Sequence, residues 1–159
     1  MTSEVQIELA DPAATHALGV ELGQHLRAGE ALGLVGDLGA GKTTLVRGLA
    51  EGLGVDDPLA VQSPTYLLVV EHPGPTPLVH VDAYLPAKTR GFLADGGLDY
   101  LAERHAVIAV EWADRIADLM PKATLWITLT PVVRSDTVCR IGHLCDRNGD
   151  FPWLQKLRR

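Results

Sequence analysis

Gly36-Asp37-Leu38-Gly39-Ala40-Gly41-Lys42-Thr43 is the part of this chain from which the rest can be placed. It fills every fixed position of the pattern G-x-x-x-x-G-K-[S/T]. The apolar run Ala31-Leu32-Gly33-Leu34-Val35 before it has the character of a buried strand. Residues 44–53 after it read as a helix, with Gly54 as a left-handed stop. Strand, glycine loop and helix in that order are what a polyphosphate requires. Glycines let backbone N–H groups wrap the anion, and the helix N-terminus adds partial positive charge. Asp37, Leu38, Gly39, Ala40, Gly41 and Thr44 are therefore candidate nucleotide-binding residues. Lys42 is placed to reach the β- and γ-phosphates, and the Thr43 hydroxyl to hold Mg²⁺. The competing reading is a glycine-rich turn that caps a helix, with Lys42 merely solvated. The intact motif and its flanks favour the phosphate site.

At 159 residues the chain suits one domain, 1–159, with a proper core. Apolar content of 47 % against 21 % charged residues is ordinary for a soluble globular protein. The net charge of −6 argues against autonomous binding to nucleic acid, since Lys and Arg on phosphates supply most of that affinity. Cys139 and Cys145 make neither a disulfide framework nor a zinc set and are expected to be reduced. Met1-Thr2-Ser3-Glu4 has no basic or apolar leader character, and no apolar stretch reaches membrane-spanning length. A cytoplasmic protein without membrane contact is expected.

Val5, Ile7 and Leu9 alternate with Glu4, Gln6 and Glu8, as in a half-exposed strand. Asp11-Pro12 supplies a helix N-cap and first position, Leu18, Leu22 and Leu26 form a stripe, and Gly29 closes the segment. Residues 66–70 and Leu78-Val79-His80-Val81 read as a hairpin joined by the proline-rich 73–77 connection. Residues 83–97, with Pro86, Gly91, Gly96 and Gly97, read as an irregular surface loop before a helix at Leu98-Asp99-Tyr100-Leu101. Ala106-Val107-Ile108-Ala109-Val110 suits a central parallel strand, and residues 114–120 a polar helical segment. Alternation at Leu125, Ile127 and Leu129 and the 138–144 run point to a last strand pair. The tail cations Lys156, Arg158 and Arg159 are read as solvated. Together these predict an α/β P-loop NTPase fold: a mostly parallel central sheet with antiparallel additions and helices on both faces.

A phosphate-loop enzyme needs acidic groups near its metal, at the carboxyl ends of neighbouring strands. Asp82 ends one strand-like run and Glu111 another. Asp82 is suited to hold Mg²⁺ directly or through water, and Glu111 to bind metal or orient the attacking water. Either carboxylate alone is equally well read as a helix cap or an arginine partner; both beside an intact phosphate loop favour function. His80 is read as a hydrogen-bonded core histidine. N-K-x-D is absent, the single asparagine being Asn148, which disfavours guanine recognition. Trp112 offers a face for base or ribose, or is an ordinary packed ring.

Four pieces fit one family together: residues 36–44, Ser63-Pro64-Thr65-Tyr66, His80-Val81-Asp82-Ala83-Tyr84 and Val110-Glu111-Trp112. The chain resembles the TsaE (formerly YjeE) family, the small ATPases of bacterial tRNA threonylcarbamoyladenosine synthesis. The likeness spans roughly residues 5–130, and the four pieces together are far more specific than the loop alone. It implies ATP and Mg²⁺ as cofactors, with Asp82 and Glu111 serving metal and hydrolysis. Ser63-Pro64-Thr65 would be a switch-like loop, with Thr15 near the adenine, Trp112 at the nucleotide and Arg134 as the family's late arginine. It implies TsaB- and TsaD-like partners, with ATP hydrolysis supporting their modification of tRNAs that read codons beginning with A, so that tRNA is met only indirectly. Leu85 stands where the family has arginine, with Arg90 as a nearby substitute, and Ala113 stands where it has proline.

Two other classes compete. A small-molecule kinase would need an arginine-rich lid and an acceptor site, and Arg90, Arg104 and Arg115 are scattered. A non-enzymatic module that changes shape with nucleotide leaves Glu111 without a purpose.

Overall fold

The computed structural model of the chain describes residues 1–64 and 67–157. Seven strands form one sheet: β1 (Ser3–Leu9), β2 (Ala31–Val35), β3 (Val69–His72), β4 (Leu78–Asp82), β5 (Val107–Glu111), β6 (Thr124–Arg134) and β7 (Thr137–Asp146). Their order is β1-β7-β6-β2-β5-β4-β3. The β6-β2-β5-β4 centre is parallel, and β3, β7 and β1 are added antiparallel. The fold is thus the α/β arrangement expected. The central strands β2, β4 and β5 are almost wholly buried because both faces of the sheet are covered, and their only polar side chains are His80, Asp82 and Glu111.

On one face lie α1 (Pro12–His25) and α2 (Lys42–Leu53). Asp11 caps α1, its carboxylate accepting the Ala14 N–H at 2.8 Å, and Pro12 occupies the first turn. Leu18, Leu22 and Leu26 are buried, and Leu32, Leu34, Val107, Ala109, Leu125 and Ile127 meet them from the sheet. Backbone contact sets how closely the two helices approach. A Cβ at Gly19 would lie 2.2 Å from the Leu45 carbonyl oxygen, and one at Gly48 2.0 Å from that of His16. Gly23 and Gly52 repeat the arrangement one turn on. Helix α2 closes at Gly54 in the left-handed conformation, φ 77°, as the sequence predicts.

The other face carries shorter elements: α3 (Pro86–Phe92), a π-type turn over Leu93–Gly97, α4 (Leu98–Glu103) and a 3₁₀ segment over Ala113–Leu119. The stretch 83–97 is therefore not the loop its glycines suggest. Pro86 sits in the first turn of α3, where proline is favourable. The Thr89 hydroxyl ties the helix to the Asp82 carbonyl at 2.9 Å. The hairpin strand begins at Val69, and Tyr66 of the predicted 66–70 run lies outside the described residues. Arg158 and Arg159 of the tail also lie outside them, while Pro152–Leu157 is a 3₁₀ segment packed into the α1 side. Cys139 and Cys145 are free thiols. Among the described residues no helix is long and apolar enough to cross a membrane.

Candidate functional site

Strand β2 ends at Val35, and the chain turns back over Gly36–Gly41 to start α2 at Lys42. Gly41, the residue before the helix, has φ 102°, a conformation costly for any side chain. Gly36 lies so close to β6 that a Cβ would meet the Leu129 carbonyl oxygen at 2.9 Å. The loop therefore needs its glycines for geometry. Lys42 is buried, and its ammonium donates to the carbonyls of Gly36 at 2.5 Å and Asp37 at 2.8 Å. Burial pushes its pKa down, opposed by the charges of Glu111, Asp37, Asp82 and Asp114.

Register brings the two predicted carboxylates side by side. Asp82 and Glu111 are partners across the parallel β4–β5 pair, and both are buried. Glu111 faces α2, and the Thr43 hydroxyl lies 3.2 and 3.3 Å from its two oxygens. His80 Nε2 meets Glu111 Oε2 at 2.6 Å. Asp82 accepts the Ser63 hydroxyl at 3.1 Å and the Tyr84 N–H at 2.7 Å. Two adjacent buried carboxylates repel unless cations or donors face them, and here donors do so from several elements.

Trp112, next to Glu111, is left-handed at φ 60°, ψ 35°. A bulky residue held there costs about 1–3 kcal/mol, a strain typical of functional positions. The turn lays the indole over Lys42, whose ammonium is 4.0 Å from the ring centroid. Arg115 is 4.6 Å from the same centroid and donates to the Tyr84 carbonyl at 2.6 Å.

These groups border a cleft of about 510 Å³. Its floor is the loop and the first turn of α2, Leu38 to Thr44. Pro12 and Thr15 of α1 form one wall, and Tyr84, Glu111 and Trp112 face them. Ser63 also lines it, whereas Asp82 lies one layer behind Ser63. The donor set fits a hard divalent cation beside a polyphosphate. The Thr43 hydroxyl gives its only proton to Glu111 and so presents oxygen lone pairs.

The family model for "Threonylcarbamoyl adenosine biosynthesis protein TsaE" matches residues 9–137. The chain belongs to the TsaE family. The tRNA threonylcarbamoyladenosine biosynthesis protein TsaE of Streptomyces coelicolor is 42 % identical over 131 residues, covering 80 % of this chain and 85 % of that protein. The protein of the same name from Bacillus subtilis is 38 % identical over 120 residues, covering 75 % and 73 %. The crystal structure of Bacillus subtilis YdiB superposes with a TM-score of 0.74 at 28 % identity, covering 98 % of this chain and 94 % of that one. The family is one of tRNA threonylcarbamoyladenosine biosynthesis.

The site residues predicted from the phosphate loop, the strand ends and the TsaE resemblance gather at the cleft, except Arg134. Lys42, Thr43, Thr44, Thr15, Trp112 and Glu111 line it together. Asp37 and Ala40 shape the loop beneath, where Ala40 is buried and its N–H bonds the Asp37 carbonyl. Arg134 does not join them: it sits at the far end of β6, 3.3 Å from Glu8. The arginine at the cleft is Arg140, which donates to the Gly39 carbonyl at 2.9 Å. Arg90 does not stand in for the arginine missing at Leu85, because it pairs with Asp118 at 2.6 Å on the surface. The arginine that contacts Tyr84 is Arg115, through the Tyr84 carbonyl. Thr65 and Tyr66 of the predicted switch loop lie outside the described residues.

Proposed function

We propose that this chain binds Mg-ATP in the cleft beside the phosphate loop and hydrolyses it to drive a TsaB- and TsaD-like assembly that forms threonylcarbamoyladenosine in tRNA. The observation that carries the reading is the convergence of Thr43, Glu111 and Lys42 on one end of a glycine loop. Phosphoryl transfer to water is catalysed by positioning and by stabilising charge. The loop amides and Lys42 hold the phosphates, with the ammonium leaving its two carbonyls for them. The Thr43 hydroxyl and Glu111 would hold Mg²⁺, which would supply positive charge against the phosphates. Glu111 also orients water, while Asp82 acts from behind Ser63 through water. Thr15 and Pro12 border the base, and Arg140 the loop tip.

Hydrolysis is favoured over transfer to a small acceptor by the arginines. Arg90 is engaged with Asp118 and Arg104 with Glu71, so neither belongs to a lid over the cleft. Net charge −6 suits an ATPase that meets tRNA only through its partners. The test is a pull-down with the tagged chain from its source cell lysate, with and without ATP. ATP-dependent recovery of TsaB- and TsaD-like proteins is the expected result; recovery of neither protein, with or without ATP, contradicts the assignment of partners.

A further inference from the structure

His80 is fully buried in the middle of a parallel strand, a place where an apolar residue packs at no polar cost. One ring nitrogen, Nε2, meets Glu111 Oε2 at 2.6 Å. The other, Nδ1, is buried and has no hydrogen-bond partner among the described residues. A histidine kept only for packing would be expected to have both nitrogens satisfied or to be replaced by an apolar side chain. Among the described residues its side chain makes one hydrogen-bonded contact, to Glu111.

The geometry of that contact follows from register. His80 pairs with Ala109 on β5, and Glu111 lies two residues further along the same face. The small Ala109 side chain leaves room for the imidazole to lean along the strand towards the carboxylate. An ionised Glu111 is only an acceptor, so Nε2 carries the proton in this bond. Oε2 is thereby fixed from behind, while the Thr43 hydroxyl approaches from the cleft side.

We propose that His80 is a positioning residue for Glu111, fixing the carboxylate plane so that it is already aimed at metal and water when nucleotide arrives. This rests on the role given to Glu111 above. A carboxylate on two rotatable bonds beyond Cβ otherwise samples several orientations, and a donor behind it removes that freedom before the reaction. His80 touches neither nucleotide nor metal and works only through Glu111. Groups that orient a metal-binding side chain in this way typically account for 10–100-fold in affinity or activity.

The test compares His80→Gln, His80→Asn and His80→Leu in the full chain. Gln carries its amide nitrogen as many bonds from Cα as Nε2 and restores the donor. Asn carries one at the Nδ1 position and does not. Each protein is assayed for thermal stability, for ADP affinity by calorimetry with and without Mg²⁺, and for kcat and KM of ATP hydrolysis with the partner proteins. The expected result is that Leu and Asn lose about 10–100-fold in kcat and most of the Mg²⁺-dependent gain in ADP affinity. Mg²⁺-free ADP affinity stays within about twofold, and Gln recovers most of both losses. If Leu does not fold, the Gln–Asn pair carries the comparison unchanged. Equal defects in Gln and Asn that follow stability, or full Mg²⁺ response and kcat in Asn and Leu, overturn the proposal. Glu111→Gln is the control that separates the two levels. If it cycles like wild type, the role of Glu111 fails; if it is dead while His80→Asn is fully active, only the role of His80 fails.

Discussion

Lys42 is held in two ways at once, by the carbonyls of Gly36 and Asp37 and by the face of Trp112. Its burial disfavours the charged form, and a polyphosphate restores what burial removes. Lys42→Ala is therefore expected to weaken ATP binding at least about 100-fold, roughly 2.8 kcal/mol, in a calorimetric titration. Unchanged affinity would mean that nucleotide binds elsewhere. The same contact makes Trp112 a reporter, because moving an ammonium away from an indole changes its surroundings. ATP or ADP should alter tryptophan fluorescence, and Trp112→Phe should remove most of the change despite Trp126 and Trp153. A full response in that variant would make the ring a packing residue. Single residues were legible in the sequence where a motif named them, as with Lys42, Thr43 and Glu111. His80 reads as a hydrogen-bonded core histidine and is one. Its partner Glu111 was not legible, because alternation along a strand tells only which face a side chain takes and not what waits there. Arg140 was missed for a different reason. The turn at Ser135 and Asp136, both left-handed, sends Arg134 and Arg140 up different strands, and only the second returns to the loop.

At the scale of elements, the glycines of α1 and α2 set where Thr15 and Pro12 stand relative to the phosphate loop. Gly48→Ala drives a Cβ against the His16 backbone, which cannot turn aside as a side chain could. The helix-favouring effect of alanine, about 1 kcal/mol, acts in the opposite direction. Overpacking of this kind costs about 1–3 kcal/mol or more, so a lower melting temperature and weaker nucleotide binding are expected together. Gly91→Ala in α3 is the matched control, since nothing lies within 4 Å of its Cβ position. It should be neutral or mildly stabilising in thermal denaturation. If both variants melted alike, close backbone contact would not be what seats α1. The strands and helices α1 and α2 were readable because hydrophobic period, caps and the proline at a first turn agreed. Helix α3 was not readable, because its seven residues hold a glycine and it is tied to the rest of the fold by the buried Thr89 hydroxyl on the Asp82 carbonyl, with Arg90 pairing Asp118 at the surface. Those are tertiary contacts, and no local pattern encodes them.

At the scale of the molecule, the sheet sets the carboxyl ends of β2, β4 and β5 side by side, so residues from positions 36–44, 82 and 111 come together. The parallel centre followed from the phosphate loop and the apolar runs. The order of the outer strands did not, since pairing β7 between β1 and β6 is settled by contacts far apart in sequence. At the site Lys42 is held by its own loop and Arg115 by the Tyr84 carbonyl. Such an arrangement is expected to bind nucleotide readily and turn it over slowly until partners shift the surrounding loops. The most direct test is steady-state phosphate release from ATP by wild type, Lys42→Ala and Glu111→Ala, each alone and with the purified TsaB- and TsaD-like proteins. Wild type should be slow alone and at least about tenfold faster with the partners, while both variants stay at background in either case. A fast wild-type rate that the partners leave unchanged, or a Glu111→Ala rate equal to wild type, would contradict the account.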